Sequence, residues 1–354
     1  MSGNTLGTVF RVTTWGESHG GAIGAVVDGC PPGLPLSEET IQTALDRRKP
    51  GGQPFATPRQ EADRVEILSG LFEGTTTGTP ISLLIRNRDA DSSAYENLRN
   101  VFRPGHGDYT YFKKYGRRDH RGGGRASGRE TAARVAAGVI AAQVTAIVGI
   151  EVLAYTKALG GVHIAENRGT VTRESLEQTL FCPDKEAALR MAERLEEARQ
   201  QGDSLGGIVE ILVRGCPAGL GEPVFDKMDA DLARALMSIG TVKGVEIGSG
   251  FAVADMKGSE SNDPLSPDGF LSNSAGGILA GITNGEEIVI RVACKPIPSI
   301  SRTQQTVDAE GNSTTLSIGG RHDVCVIPRI VPVCEAMVQI VLADHLLRQK
   351  AVKL

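Results

Sequence analysis

The chain has 354 residues, 40% apolar content and a formal net charge of −4, which is length enough to bury a sizeable core as one large domain or two ordinary ones. No stretch approaches the roughly 20 uncharged apolar residues of a membrane span, and the opening MSGNTLGTVFRVTTWGE lacks the basic-then-apolar order of a secretory leader, so the expected location is cytoplasmic. The acidic balance argues against a general nucleic-acid surface. The six cysteines, Cys30, Cys182, Cys216, Cys294, Cys325 and Cys334, form no CxxC pair, which suggests neither a metal site nor a disulfide framework. They are expected as buried small residues.

In chain order, Ser37 is a candidate N-cap for a helix through Glu38, Ile41, Leu45 and Arg48, closed by Pro50 and the glycines after it. Val65 to Phe72 and Ile81 to Ile85 read as strands around the turn-rich GTTTGTP. Between Leu98 and Arg129 nine lysines and arginines stand against two acids. Arg129 to Ile150, rich in Ala and Val and free of proline, predicts a buried helix. Further helices are expected at Thr172 to Leu180, at Asp184 to Arg199 with a charged outer surface, and at Asp226 to Ile239. The last runs from Val331 to Lys350 with the apolar spacing Met337, Ile340, Val341.

An internal repeat is visible. Gly16 to Leu34 (GESHGGAIGAVVDGCPPGL) aligns without gaps on Gly202 to Leu220 (GDSLGGIVEILVRGCPAGL), with ten identities in nineteen positions. Fainter echoes follow in the same order: GTTTGTPISLLI against GITNGEEIVIRV, and GGR before a helix at Gly123 and again at Gly319. We expect two pseudo-symmetric halves, 1–186 and 187–354, within a single domain spanning 1–354. His19 faces Leu205 in the alignment and Ser127 faces Asp323, so the chemistry would be divided between the copies.

The loop KKYGRRDHRGGGRASGRE, Lys113 to Glu130, joins cations, glycines and a helix start. Free backbone N–H groups and the helix dipole suit an anion there, and Arg125 and Arg129 add fork-shaped charge that fits phosphate or carboxylate. The alternative is an RGG-like element that binds RNA, against which stand the acidic chain and only 4% aromatic residues. His19 in GESHGG and His106 in FRPGHGDY sit among glycines in loops, where imidazole is a fitting proton donor beside a phosphate leaving group. His120 and His322 adjoin the basic loops, whereas His163 and His345 look structural. In IGGRHD, Arg321 would grip an anion and Asp323 would be a base held ionised by it, or the two form an ordinary ion pair. KPIPS, Lys295 to Ser299, is a proline-stiffened turn, either a phosphate or ribityl contact or a plain connection. Walker A and Rossmann GxGxxG patterns are absent from the sequence, and the GxSxG letters of GESHG and GDSLG are not read as a nucleophile elbow.

GESHG at Gly16, the GGGRAS run ending at Ser127 and GRHD at Gly320 resemble, in order and spacing, the three signature regions of chorismate synthases, and FRPGHGDYTY, VKGVEIGSGF, SNSAGGILAGI and LADHLLRQ are similar to other stretches of that family. The resemblance implies an α+β fold, a β-α-β sandwich of two sheets enclosing a helical layer, assembled as a homotetramer. It implies the anti-1,4-elimination of phosphate and a hydrogen from 5-enolpyruvylshikimate 3-phosphate to give chorismate, requiring reduced FMN with no net redox change. His19 would protonate the departing phosphate, His106 would stabilise the charged reduced flavin, and Asp323 would accept the proton arriving at flavin N5, with Ser18 and Ser127 in support. Arg48, Arg103, Arg129 and Arg321 would bind the triply anionic substrate. FMN contacts would come from Arg125, Ala126, Ser127, Gly240, Thr241, Ala280, Lys295, Pro296, Ile297, Pro298, Ser299 and Arg321. No metal, nucleic acid or membrane is implied. Whether NADPH reduces the flavin on this protein stays open, and reliance on cellular reductant is expected. Pro54 stands where the family often has an arginine, with Arg59 nearby, and Gly240, RASGR and Ala280 also depart from the common pattern. A phosphate-handling lyase or transferase without flavin, and an RNA-binding protein using Lys113 to Arg129, are the rival readings.

Overall fold

Strict alternation builds the first of two antiparallel five-stranded sheets. A computed structural model describes residues 3–49, 62–88, 93–165, 170–319 and 323–352; Pro50, Pro54, Arg59, Arg321 and His322 lie outside them. Strands β1 (Thr5–Leu6), β2 (Arg11–Gly16), β3 (Ala22–Asp28), β4 (Val65–Ile67) and β5 (Ile81–Arg86) lie in the order β1-β2-β3-β5-β4. Ile23, Ala25 and Val27 pair with Ile85, Leu83 and Ile81, and all six are fully buried, as the two-residue period of a strand with one covered face requires. The second sheet repeats the pattern. Strands β6 (Glu151–Leu159), β7 (Val162–His163), β8 (Gly207–Arg214), β9 (Val242–Ile247) and β10 (Ile288–Cys294) take the order β9-β10-β8-β6-β7. Val209, Ile211 and Val213 pair with Val292, Ile290 and Ile288, again all buried. The two segments aligned most closely in the sequence contain β3 and β8, and the fainter echoes contain β5 and β10.

Helices cover the buried faces. Helix α1 (Glu38–Arg48) is capped by Ser37, whose side chain accepts from Thr40 N at 3.3 Å, with acids in its first turn and Arg47 and Arg48 in its last. Helix α3 (Thr131–Ala146) packs on β3 and β5, and the last helix, α6 (Ile327–Val352), packs on β6 and β8 and against α3. Between these lie α2 (Asp108–Tyr115), α4 (Lys185–Gln200) and α5 (Met228–Met237), the last packed on α6. The mixed α+β content agrees with the sequence reading. By length and composition α6 would pass for a membrane span, contrary to the expectation that no stretch approaches one. However, 89% of that stretch is buried inside the fold, which makes it a core helix.

Some expected elements change. Thr172 to Leu180 forms only the 3-10 turns Glu174–Leu176 and Thr179–Phe181, because Leu180 and Phe181 take positive φ (63° and 50°) while their side chains enter the core. The strand expected from Val65 to Phe72 divides at Gly70 into Val65–Ile67 and Leu71–Phe72. The helix expected from Arg129 begins at Thr131, after two short turns. All six cysteines are buried and free.

Candidate functional site

The glycine-arginine loop folds into two 3-10 turns, Gly124–Ala126 and Gly128–Glu130, joined at Ser127, whose Oγ accepts from Arg129 N at 3.3 Å. This puts Arg125, Ala126 and Ser127 along one wall of a cleft of about 560 Å³, within the usual size of small-molecule sites. Arg48 comes from the end of α1, Arg103, Gly105 and His106 from the loop before α2, and Gly240 and Thr241 from the approach to β9. Lys295, Ile297, Pro298 and Ser299 follow β10, while Asp323 and Arg329 flank the start of α6. Loops after both sheets therefore converge on one space.

Its cations are held by buried carboxylates. Arg48 uses every guanidinium nitrogen: Nε donates to Thr131 Oγ1 (3.1 Å), Nη1 to Asp63 Oδ2 (2.8 Å) and Nη2 to the Gly128 carbonyl (2.7 Å). Burial and the nearby Arg329 push it down to about 10, against the pull of Asp63. Arg129 donates to Asn87 Oδ1 at 2.9 Å and also binds Asp63. Arg103 forms a bidentate pair with Asp108 at 2.7 and 2.8 Å. Arg125 holds the first sheet, donating to the Gly16 carbonyl (3.1 Å) and to Thr14 Oγ1 (2.8 Å). Burial, and then repulsion from Lys243, lowers the Lys295 ammonium from its ordinary value, and its Nζ donates to the Gly105 carbonyl at 2.5 Å. With Arg118 donating to Leu98 and Val101 carbonyls and Arg121 to Asp119, much of the basic run is engaged within the fold, unlike a free RNA-binding tail.

The two histidines approach glycine backbone closely. A Cβ on Gly122 would lie 2.2 Å from the His19 ring, and one on Gly123 would lie 2.8 Å from that of His106, so only glycine fits at either place. Ser18 Oγ lies 3.1 Å from His19 Nδ1, and the His19 ring meets Tyr95 edge-on at 5.1 Å. Ser18 and His19 thus stand directly behind Gly122 and Tyr95, which line the cleft. Arg129 and Pro296 are not among the lining residues, and Ala280 sits in the hairpin between Ile278–Leu279 and Ile282–Thr283, apart from them. Arg321 is outside the described residues, and the observed cationic partner of Asp323 is Arg329 Nη1, at 2.6 Å. Arg329, Asp63, Asp108 and Tyr95 escaped the sequence reading. Arg329 carried one usable signal, a lone cation in the first turn of an apolar helix.

The family model described as "Chorismate synthase" matches residues 10–347. Chorismate synthase of Syntrophus aciditrophicus is 82% identical over 354 residues, covering 100% of both chains. That of Syntrophobacter fumaroxidans is 62% identical over 354 residues, covering 100% of this chain and 99% of the relative. A solved structure titled "Crystal Structure of Chorismate Synthase" superposes with a TM-score of 0.77 at 34% identity, covering 97% of this chain and 93% of that one. A match over nearly the whole length in sequence, and the same fold in a solved relative, mean that this chain belongs to the chorismate synthase family, a family of lyases.

Proposed function

We propose that the cleft eliminates phosphate and a hydrogen from 5-enolpyruvylshikimate 3-phosphate, giving chorismate, beside bound reduced FMN. The convergence of Arg48, Arg103, His106, Arg125, Ser127, Lys295 and Asp323 on one space is the observation that carries the reading. A phosphate and two carboxylates lose hydration on entering a cleft, and fixed guanidinium and ammonium groups offset that cost. Arg103, Lys295 and Arg329 are the cations lining the cavity best placed to do so, while Arg48 and Arg129, already bound to Asp63, act through their field and by holding the wall.

The residues present suit FMN. Lys295 and the stiff turn through Ser299 suit a phosphoribityl chain, and the Arg125 to Ser127 turn offers backbone to a ring. Thr241 Oγ1 is buried with only the weak Cys294 thiol to interact with and no well-formed hydrogen bond among the described residues, a polar atom that a ligand would satisfy. When bound, reduced FMN would supply the reversible electron donation that this unactivated elimination needs, with no net oxidation. His19, through the Gly122 backbone gap, would deliver a proton to the departing phosphate, with Ser18 fixing its ring. His106 would stabilise negative charge at the cofactor, and Asp323, held by Arg329, would receive a proton. Ala280, remote from the cleft in one chain, and Arg321 remain FMN contacts by family resemblance alone.

Four of the five strands in each sheet correspond in order, β2-β3-β5-β4 with β6-β8-β10-β9, which supports an internal duplication, and helices packed on the buried faces of both sheets support the β-α-β sandwich. A cytoplasmic homotetramer completes the proposal. Phe225, 91% exposed, and Phe251, 79% exposed, are large apolar side chains of the kind that subunit contacts cover. The test is anaerobic phosphate release from 5-enolpyruvylshikimate 3-phosphate, with and without photoreduced FMN. Release with chorismate only when reduced FMN is present is expected, and His19→Ala should slow it by roughly 10- to 10⁴-fold with FMN still bound. Release independent of flavin would favour a flavin-free phosphate lyase.

A further inference from the structure

We infer that Asp108 is a positioning residue, whose one buried carboxylate sets both the ring of His106 and the guanidinium of Arg103 toward the cleft. The inference rests on the reading that His106 acts in turnover. Asp108 is 3% exposed and opens α2, where the helix dipole favours a carboxylate. Its Oδ2 accepts from Arg103 Nε at 2.7 Å and from Arg103 backbone N at 3.1 Å. Its Oδ1 accepts from Arg103 Nη2 at 2.8 Å and lies 3.0 Å from His106 Nδ1, with Arg118 Nη1 at 3.5 Å.

Two consequences follow from donor chemistry. An ionised carboxylate only accepts, so the proton in the His106 contact belongs to Nδ1. Nε2 is then the nitrogen left to face negative charge, a role that requires it to carry a proton as well, and it lies against Gly123, whose absent side chain leaves the space (a Cβ there would come 3.0 Å from Nε2). Arg103 engages Asp108 through Nε and Nη2, which leaves Nη1 as the nitrogen for an anion in the cleft. Burial pushes the Asp108 carboxyl up, but hydrogen bonds from Arg103 and His106 outweigh it and hold the group well below the usual carboxylate range. The acceptor is therefore ionised throughout the neutral range. Because one group orients two others, its loss should appear in two separable ways.

The test is a cycle of Asp108→Asn, His106→Ala and the double variant, assayed anaerobically with reduced FMN. Asp108→Asn is expected to lower kcat by about 10- to 100-fold, the scale of a misplaced reacting group, and to raise KM for the phosphorylated substrate. In the His106→Ala background its effect on kcat should shrink to under about 3-fold, since groups acting as a unit are not additive, while the KM increase persists. A second readout uses cofactor-free protein labelled with ¹⁵N at histidine, in which the His106 signal is identified by its loss in His106→Ala. It should report the Nδ1–H form in the parent and move toward Nε2–H in Asp108→Asn. A full kcat penalty in both backgrounds, or an unchanged tautomer, would overturn the positioning role. Parental turnover by His106→Ala would instead sink the role given to His106, with the ¹⁵N spectrum still judging Asp108. If Asp108→Asn does not fold, Asp108→Glu runs the same cycle, with the charge kept and displaced by one methylene.

Discussion

Removing the Asp63 carboxylate should destabilise the protein more than any other single polar change around the cleft. The Arg48 and Asp63 side chains are 1% and 0% exposed and meet at 2.8 Å, and Asp63 also binds Arg129. Water cannot take over when the partner is lost, and burial already presses the Arg48 guanidinium toward about 10. Leaving one member of a buried pair uncompensated costs about 3–5 kcal/mol. Unfolding entropy near 2.1 cal/mol/K per residue amounts to roughly 0.7 kcal/mol/K for 354 residues. Asp63→Ala should therefore lower Tm by about 4–7 °C, read by calorimetry at matched protein concentration. Replacing the pair together, Asp63→Leu with Arg48→Met, should recover part of the loss, because the Arg48 charge is no longer stranded while Arg129 still loses Asp63. A single variant melting within about 1 °C of the parent, or a double variant as unstable as the single, would refute the reasoning.

Three other outcomes are expected. A Cβ on Gly138 would lie 2.4 Å from Ala336 Cβ, where α3 crosses α6, so Gly138→Val should overpack the crossing and cost about 1–3 kcal/mol in a denaturant melt; an unchanged midpoint would mean the helices can separate freely. The thiols should be inert in the native state: burial pushes Cys30, Cys216 and Cys294 up to about 11 and Cys325 up to about 12, and the thiolate is the reactive form. Rapid titration of any of these by a thiol reagent, before unfolding, would contradict this. A depressed carboxylate stabilises the fold above its unfolded pKa of about 3.9 and loses that contribution as pH falls toward its folded value. Asp108 is such a group, so melts between pH 6 and 3 should fall less steeply below about pH 4 for Asp108→Asn than for the parent; parallel curves would argue against a folded-state shift.

The parts of the site legible in the sequence were those with a local signature. Arg125 and Ser127 stood in a glycine-rich loop before a helix, and His19 and His106 among glycines of their own, while Gly122 and Gly123 of the glycine-rich loop are what allow both rings to approach the backbone. Arg48 could be placed at a helix end from its Ser37 cap and from Pro50 and the glycines that follow. The carboxylates that hold the arginines had no such mark. Asp63 meets Arg48 across fifteen positions and Arg129 across sixty-six, pairings that exist only once the chain is folded. Arg329 fell outside the helix expected from Val331, which in fact starts at Ile327, and Arg48 and Arg129 looked like free anion receptors because neighbouring sequence says nothing about an internal counter-charge. The same limit explains the segment from Thr172 to Leu180. Its composition suits a helix, but tertiary packing draws Leu180 and Phe181 inward at positive φ.

The most direct measurement counts chorismate formed per reduced FMN under strictly anaerobic conditions, with the flavin spectrum recorded at the end. Many products per flavin, with the flavin still reduced and one phosphate released per chorismate, is the expected result for a redox-neutral elimination. One product per flavin with loss of the reduced spectrum, or undiminished turnover after FMN is removed, would contradict it.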